Sequence, residues 1–329
     1  MSKPRQCTRQ GRYFVGECES LLRGRLGHRL RGRVQLILTS PPYPLNRKKS
    51  YGNLTGDEYR RWFVKLAPLF AELLRPDGSI VIELGNAWIP GRPVQSLLHL
   101  KSLVDFVENK DAGLRLCQEF ICYNPSRLPS PAAWVTVRNE RVTDSFTHVW
   151  WMAKNDFPNA DTTRVLRPYS KDMRDLLARG NYNNGRRPSE HRVSEKGFLH
   201  DRGGSIPQNV FELESMNGQQ PRLPNAFRIA NTGSSDFFLR ACREEKITPH
   251  PARMPIGLAS FFVRFLTTRG DLVLDPFAGS NTTGFVAELA GRRWVAIDRQ
   301  AAFVRQSRIR FRHPALKRRP PQQTRRSVR

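Results

Sequence analysis

Asp271-Leu-Val-Leu-Asp-Pro-Phe-Ala-Gly-Ser-Asn-Thr-Thr-Gly284 is the stretch from which the fold of this chain can be read. Leu272, Val273 and Leu274 form a short apolar run of the kind found in a sheet covered on both faces. Asp275-Pro276 ends the run, because proline sets its own φ and restricts the residue before it. A loop of small residues follows, and Phe285 to Ala290 has helical spacing that stops at Gly291. A strand, a tight turn and a helix amino terminus let a ligand approach backbone N–H groups closely. The turn lacks the G-x-G-x-x-G fingerprint of dinucleotide sites and the lysine of a P-loop. The next strand, Arg293-Trp-Val-Ala-Ile-Asp298, ends in a carboxylate about 20 residues beyond the turn, where a doubly wound fold places an acid on ribose hydroxyls. The pattern predicts an α/β fold that binds a nucleoside.

Far upstream, Gln35-Leu-Ile-Leu-Thr-Ser-Pro-Pro-Tyr43 reads as a second buried strand, ending in a rigid corner. Pro41 and Pro42 remove two backbone donors, which leaves carbonyls in the corner without local partners. A hydroxyl (Ser40), a free carbonyl (Pro41) and an aromatic face (Tyr43) project from the carboxyl end. Together they suit a planar group that is stacked and hydrogen-bonded through an amino substituent, such as a nucleobase. Taken alone, the corner is equally readable as an ordinary strand-to-loop turn.

The two motifs together resemble the catalytic and cofactor motifs of S-adenosylmethionine-dependent DNA amino-methyltransferases. Their order, catalytic motif first, is that of the circularly permuted beta class. Arg47-Lys-Lys-Ser-Tyr-Gly-Asn53, Pro76-Asp-Gly-Ser-Ile-Val-Ile82, Asn124-Pro-Ser-Arg-Leu-Pro129, Val149-Trp-Trp151, Arg167-Pro-Tyr-Ser-Lys171 and Pro249-His-Pro-Ala-Arg-Met-Pro255 resemble segments of the PvuII-type cytosine-N4 methyltransferases. The resemblance implies a Rossmann-like methyltransferase fold with a mostly parallel twisted sheet and an inserted, irregular target-recognition region. It also implies S-adenosyl-L-methionine as cofactor and double-stranded DNA as substrate. A restriction-modification system with a cognate restriction endonuclease and a monomeric or weakly dimeric protein follow from it too.

Carried onto this chain, the catalytic group is Ser40, Pro41, Pro42 and Tyr43. The cofactor group is Asp275, Pro276, Phe277, Gly279, Ser280 and Asp298. His250 and Pro251 join the cofactor side by resemblance only, since His250 alone reads as a structural histidine. Ser in the first position of the catalytic motif favours cytosine-N4, where adenine-N6 enzymes more often carry Asp or Asn. Adenine-N6 transfer, and a catalytically silent DNA-binding protein on the same fold, are the alternative readings. One residue departs from the family, which commonly has Gly where this chain has Asn281; a tight turn can take Asn in the left-handed region.

Composition agrees with a partner that carries phosphates. Lys and Arg total 55 against 29 Asp and Glu, a net charge of +26. Residues 305–329 hold ten Lys/Arg and no acid, and their composition predicts a disordered basic tail. Removing that tail still leaves +16 on residues 1–304. Arg47, Lys48 and Lys49, directly after the catalytic corner, and Arg186, Arg187 and Arg192 in the irregular region are the candidate DNA contacts. The five cysteines form no C-x-x-C pair, share no metal-ligand spacing with the histidines, and none follows a proline. That argues against a metal centre and against the Pro-Cys nucleophile of cytosine-C5 methylation. No apolar run approaches the ~20 residues of a membrane span, so a soluble, cytoplasmic prokaryotic protein is expected.

Hydrophobic spacing predicts strands over 13–15, 79–84, 116–123 and 146–153, the catalytic strand and its corner over 34–43, and helices over 17–26, 57–74, 94–108, 237–245 and 258–267. Periodic structure breaks down between 155 and about 225. The chain therefore divides into a catalytic half (1–154), a target-recognition region (155–225), a cofactor half (226–304) and the tail (305–329).

Overall fold

The computed structural model describes residues 3–44, 54–214, 226–229 and 236–317. An antiparallel pair, β1 (Gln6–Cys7) and β2 (Gly11–Val15), precedes two short helices, α1 (Cys18–Arg23) and α2 (Arg25–Leu30), and strand β3 (Val34–Thr39). Helices α3 (Gly56–Val64) and α4 (Leu66–Leu73) lead into β4 (Leu74–Leu84), a small hairpin of β5 (Ala87–Trp88) and β6 (Gln95–Ser96), and α5 (Leu98–Val107). Then come β7 (Arg115–Tyr123), β8 (Phe146–Ala153), α6 (Lys171–Arg179), a second hairpin of β9 (Gly185–Arg186) and β10 (Arg192–Val193), and β11 (Val210–Leu213). The last part holds β12 (Phe227–Ile229), α7 (Phe237–Glu244), α8 (Ile256–Leu266), β13 (Leu272–Asp275), α9 (Thr282–Leu289), β14 (Arg293–Asp298) and α10 (Ala301–Ser307).

Among the described residues, ten strands form one sheet in the order β1-β2-β14-β13-β3-β4-β8-β7-β11-β12. Only β1 and β8 run antiparallel to their neighbours, so the sheet is mostly parallel. Strand β3 is buried along its whole length, and its alternate residues feed two cores. Leu36 and Leu38 pack with α8 and α9 on one face, while Ile37 packs with α3, α4 and α5 on the other. This double covering explains the unbroken apolar run in the sequence.

Strands β13 and β3 lie side by side, joined at Val273–Leu36 and Leu274–Ile37. From β13 the chain proceeds through α9 to β14 on one side; from β3 it proceeds through α3 and α4 to β4 on the other. The two motifs, more than 200 residues apart in sequence, thus meet at the switch point of the sheet, where doubly wound folds bind ligands.

Several elements differ from their sequence-based expectation. The helix predicted over 57–74 breaks at Lys65, because Pro68 has no N–H and its ring would collide with the carbonyl four residues earlier. The helix predicted over 17–26 divides at Gly24, whose backbone is extended. Residues at the start of the predicted 94–108 helix pair instead with Ala87–Trp88. Within the stretch predicted to be irregular, Val210–Leu213 adds a parallel strand beside β7, and Phe211 is buried against Phe120 and Phe261. Residues 215–225 lie outside the described residues.

The expectation of a disordered tail from residue 305 needs correction. Residues up to 317 are folded, with α10 running to Ser307 and single turns at Arg310–Arg312 and Pro314–Leu316. Apolar residues among the arginines anchor this segment: Ile309 packs with Phe238 and Cys242, and Phe311 stacks on Trp294 at 5.1 Å. Arg310 is itself buried, 2% exposed, its charge met by Asp236 at 3.9 Å and by the Phe238 ring at 4.3 Å. Composition alone hides this, because the aliphatic residues are outnumbered by cations. Residues 318–329 lie outside the described residues.

Candidate active site

At the carboxyl ends of β3, β13 and β14 a cavity of about 670 Å³ opens. It is lined by Ser40, Pro41, Pro42 and Tyr43 from the catalytic corner and by Asp275, Pro276, Phe277, Gly279, Ser280 and Asp298 from the cofactor turn. His250 and Pro251 complete it, so every candidate catalytic and cofactor residue borders one space. Its volume is in the range of small-molecule and cofactor sites.

The two motifs are bonded to each other. Thr39 Oγ1 donates to Asp275 Oδ1 at 2.8 Å, and both residues are buried. Phe277 N donates to the same oxygen at 3.1 Å. Burial pushes the Asp275 carboxyl up to about 6, against the pull of these donors.

The cofactor turn is held from several directions. Gly279, at φ +49°, receives Tyr13 Oη on its carbonyl at 2.7 Å and gives its N–H to Asp298 Oδ2 at 3.0 Å. Asp298 Oδ1 accepts from Gln300 N at 2.8 Å, and burial raises this carboxyl too. Arg310 Nε donates to the Ser280 carbonyl at 2.9 Å, and its Nη2 lies 3.0 Å from Ser280 Oγ. Asn281 adopts the left-handed conformation, φ 59° and ψ 47°, and its Oδ1 caps α9 by accepting from Gly284 N at 3.0 Å. The departure from the family's usual Gly therefore keeps the backbone shape and adds a cap.

On the catalytic side, the Tyr43 ring lies over Gly85, where an added Cβ would sit 2.5 Å from Cε2. Ser40 and Tyr43 stand together on the cavity wall. Trp62, which donates to Glu19, meets Phe277 edge-on at 5.7 Å and supplies an aromatic wall. His250 packs edge-on against Phe303 at 4.2 Å and directly against Gly279, where a Cβ would lie 3.0 Å from Nε2. Burial holds His250 down to about 4, so the imidazole is neutral. Ala252 N–H donates to its Nδ1 at 3.2 Å, a structural bond that orients the ring.

The predicted DNA contacts fare unevenly. Arg186 and Arg192 are exposed and directly opposed on the β9–β10 hairpin, and Arg187 donates to the Asn183 carbonyl at 2.7 Å. None of the three borders the cavity. Arg47, Lys48 and Lys49 lie outside the described residues. Sequence reasoning missed Thr39, Glu83, Trp62 and Arg310. Of these Glu83 carried a readable signal, as the one acid inside the apolar strand Ile80-Val-Ile-Glu-Leu84.

The cavity suits a nucleoside bearing a charged amino-acid tail: aromatic walls at Trp62, Phe277 and Phe303, two carboxylates, and a glycine turn with no room for a side chain. Comparisons with known proteins agree. The Type II methyltransferase M.PvuII of Proteus hauseri is 38% identical over 311 residues, covering 94% of this chain and 86% of that protein. The solved PvuII DNA methyltransferase (cytosine-N4-specific) superposes with a TM-score of 0.70 at 33% identity, covering 94% of this chain and 89% of that one. The structure of M1.HpyAVI with S-adenosylmethionine shares the fold, with a TM-score of 0.52 at 14% identity over 92% of this chain and 100% of that one. Residues 34–308 match the DNA methylase family of N6 and N4 methyltransferases, and the chain belongs to that family.

Proposed function

We propose that the chain transfers a methyl group from S-adenosyl-L-methionine to the exocyclic N4 of a cytosine extruded from duplex DNA, at a specific sequence. The observation that carries this reading is the single cavity bordered by Ser40, Pro41 and Tyr43 on one side and by Asp275 and Asp298 on the other, with Thr39 bonded to Asp275 between them. When bound, S-adenosylmethionine supplies an electrophilic methyl on a sulfonium.

The chain's own residues supply orientation and charge. An exocyclic cytosine amine is a weak nucleophile because its lone pair is delocalised into the ring. Ser40 Oγ and the Pro41 carbonyl accept the two amino hydrogens, which favours a pyramidal nitrogen and stabilises the positive charge that develops there. Tyr43, braced from behind by Gly85, offers its other face for stacking on the extruded base. The methylated nitrogen is strongly acidic and gives its proton to water, so no strong base is required. Asp298 accepts two backbone bonds and would have acceptor capacity left on each oxygen to hold the ribose hydroxyls. Asp275, Pro276, Phe277, Gly279 and Ser280 would hold the rest of the cofactor, with neutral His250 and Pro251 as a side wall.

The basic hairpin bearing Arg186, Arg187 and Arg192 belongs to the target-recognition region, and Arg47, Lys48 and Lys49 act on the phosphates beside the flipped base. The protein works as a monomer or weak dimer in the cytoplasm, and its methylated site matches that cut by a cognate restriction endonuclease. Among the described residues no helix is long and apolar enough to cross a membrane. Single-molecule sequencing of plasmid DNA treated with the protein and S-adenosylmethionine tests the reading. Methylcytosine at one recurring sequence is the expected result; modification at adenines, or at no recurring sequence, would refute it.

A further inference from the structure

Glu83 has no part in the chemistry described so far, yet its carboxyl borders the same cavity as Ser40, Pro41 and Tyr43. It lies next to the end of β4, after the apolar run Ile80-Val-Ile82, 7% exposed and in register with Val149 of β8. Thr147 Oγ1 donates to its Oε1 at 3.1 Å, and Thr147 is the hydrogen-bond partner that the described residues give it. A buried acid that borders a cavity and has a single neutral hydroxyl as its bonded partner is costly to keep unless a ligand uses it.

We propose that the Glu83 carboxyl hydrogen-bonds the ring edge of the extruded cytosine beside its amino group, donating to the ring acceptor there, and so positions the base for attack. The proposal deepens the functional reading above and rests on it. Ser40 Oγ and the Pro41 carbonyl take the amino hydrogens; the adjacent ring nitrogen N3 is an acceptor and needs a donor once the base has left its pairing guanine. A carboxylate there would face the lone pairs of N3 and O2, whereas a carboxylic acid offers the missing O–H.

Burial shifts the carboxyl towards its protonated form. Burial raises the Glu83 carboxyl, opposed by the Thr147 bond and by Arg127. The other groups facing it are Tyr43 on the corner and Cys122 on β7, both held protonated by burial. A base entering the cavity expels water and pushes the carboxyl further the same way. The bond is strongest before transfer, because N3 loses electron density as the N4 lone pair leaves the ring. Glu83 is therefore a positioning residue that acts on base capture more than on the turnover of captured base.

The test uses the full chain and duplexes carrying its methylation site with either cytosine or 3-deazacytosine as target, the latter lacking the N3 acceptor. Wild-type protein should lose roughly tenfold in kcat/KM on the deaza duplex, the size of one net hydrogen bond. Glu83→Ala should lose about as much on cytosine but little more on deazacytosine, with S-adenosylmethionine affinity by calorimetry unchanged. Glu83→Gln, which keeps a donor, should retain most activity. It should also lack the fall in kcat/KM that wild-type protein shows as rising pH ionises Glu83. The proposal is overturned if Glu83→Ala remains as sensitive to the deaza substitution as wild type, or if Glu83→Gln is as impaired as Glu83→Ala. Should Glu83→Ala fail to fold, the pH profile of Glu83→Gln and the wild-type response to the deaza duplex still decide. Failure of wild type to methylate the cytosine duplex would instead count against the functional reading itself.

Discussion

Ser40 is the residue on which the proposed chemistry turns, since it borders the cavity beside Tyr43. Ser40→Ala should lower kcat by about 10²-fold or more, as loss of one oriented transition-state hydrogen bond does. Cofactor and DNA affinities should stay near wild type in calorimetry and gel-shift titrations. Tyr43→Ala should cost more than Tyr43→Phe, because stacking is worth roughly 1–3 kcal/mol per base and Phe retains it. Asp275 leads to a prediction in pH. Its folded carboxyl, raised to about 6 from 3.8, prefers the protonated form. Its stabilising effect is thus complete below the unfolded value and is lost as pH rises through about 6. Asp275→Asn escapes that loss, so urea unfolding should show the variant more stable than wild type at pH 7–8, by on the order of 3 kcal/mol. The difference should vanish near pH 4; a gap independent of pH would remove the ionisation argument. At this scale the sequence was legible wherever a residue stands in a motif: Ser40, Tyr43, Asp275 and Asp298 all border the cavity. Thr39 and Arg310 were not, because their roles depend on partners 236 and 30 residues away.

The cofactor turn shows how an element is shaped from distant parts of the chain. Tyr13 bonds the Gly279 carbonyl, Asp298 the Gly279 N–H, and Arg310 the Ser280 carbonyl. Asn281 makes the turn and the helix cap one device. Gly284 follows from it, since an added Cβ there would lie 2.3 Å from Asn281 Oδ1. Asn281→Ala should lower stability by about 1–2 kcal/mol, losing the cap and straining the left-handed backbone. Asn281→Gly, which relaxes the backbone, should be nearly neutral. Thermal unfolding of the two variants checks the order; equal losses would show that the cap, and not the backbone, dominates. The strand-turn-helix unit was legible from small residues and apolar spacing. The helix start was not, being set at Thr282 by the cap, three residues before the apolar run.

Across the whole molecule, the α/β class and the meeting of the two motifs were readable, because buried parallel strands leave long apolar runs and the ligand site follows from the sheet's switch point. What composition obscured was the region around residue 210 and the segment after 305, where few apolar residues do the anchoring. That correction alters what truncation should do. Deleting 318–329 removes five arginines and should flatten the salt dependence of DNA binding, each lost phosphate contact lowering the log-log slope by about 0.9. Deleting 305–329 also removes Ile309, Arg310 and Phe311 and should destabilise the fold and weaken cofactor binding. Filter-binding titrations over a salt series, with unfolding curves, separate the two; equal stability of both truncations would contradict the folded role of 305–317. The identity of the methylated atom bears on everything above. Duplex DNA incubated with the protein and methyl-labelled S-adenosylmethionine, digested to nucleosides and resolved by mass spectrometry, reports it directly. The account predicts label in N4-methylcytosine, reduced about 10²-fold by Ser40→Ala. Label in N6-methyladenine or 5-methylcytosine, or none at all, would contradict it.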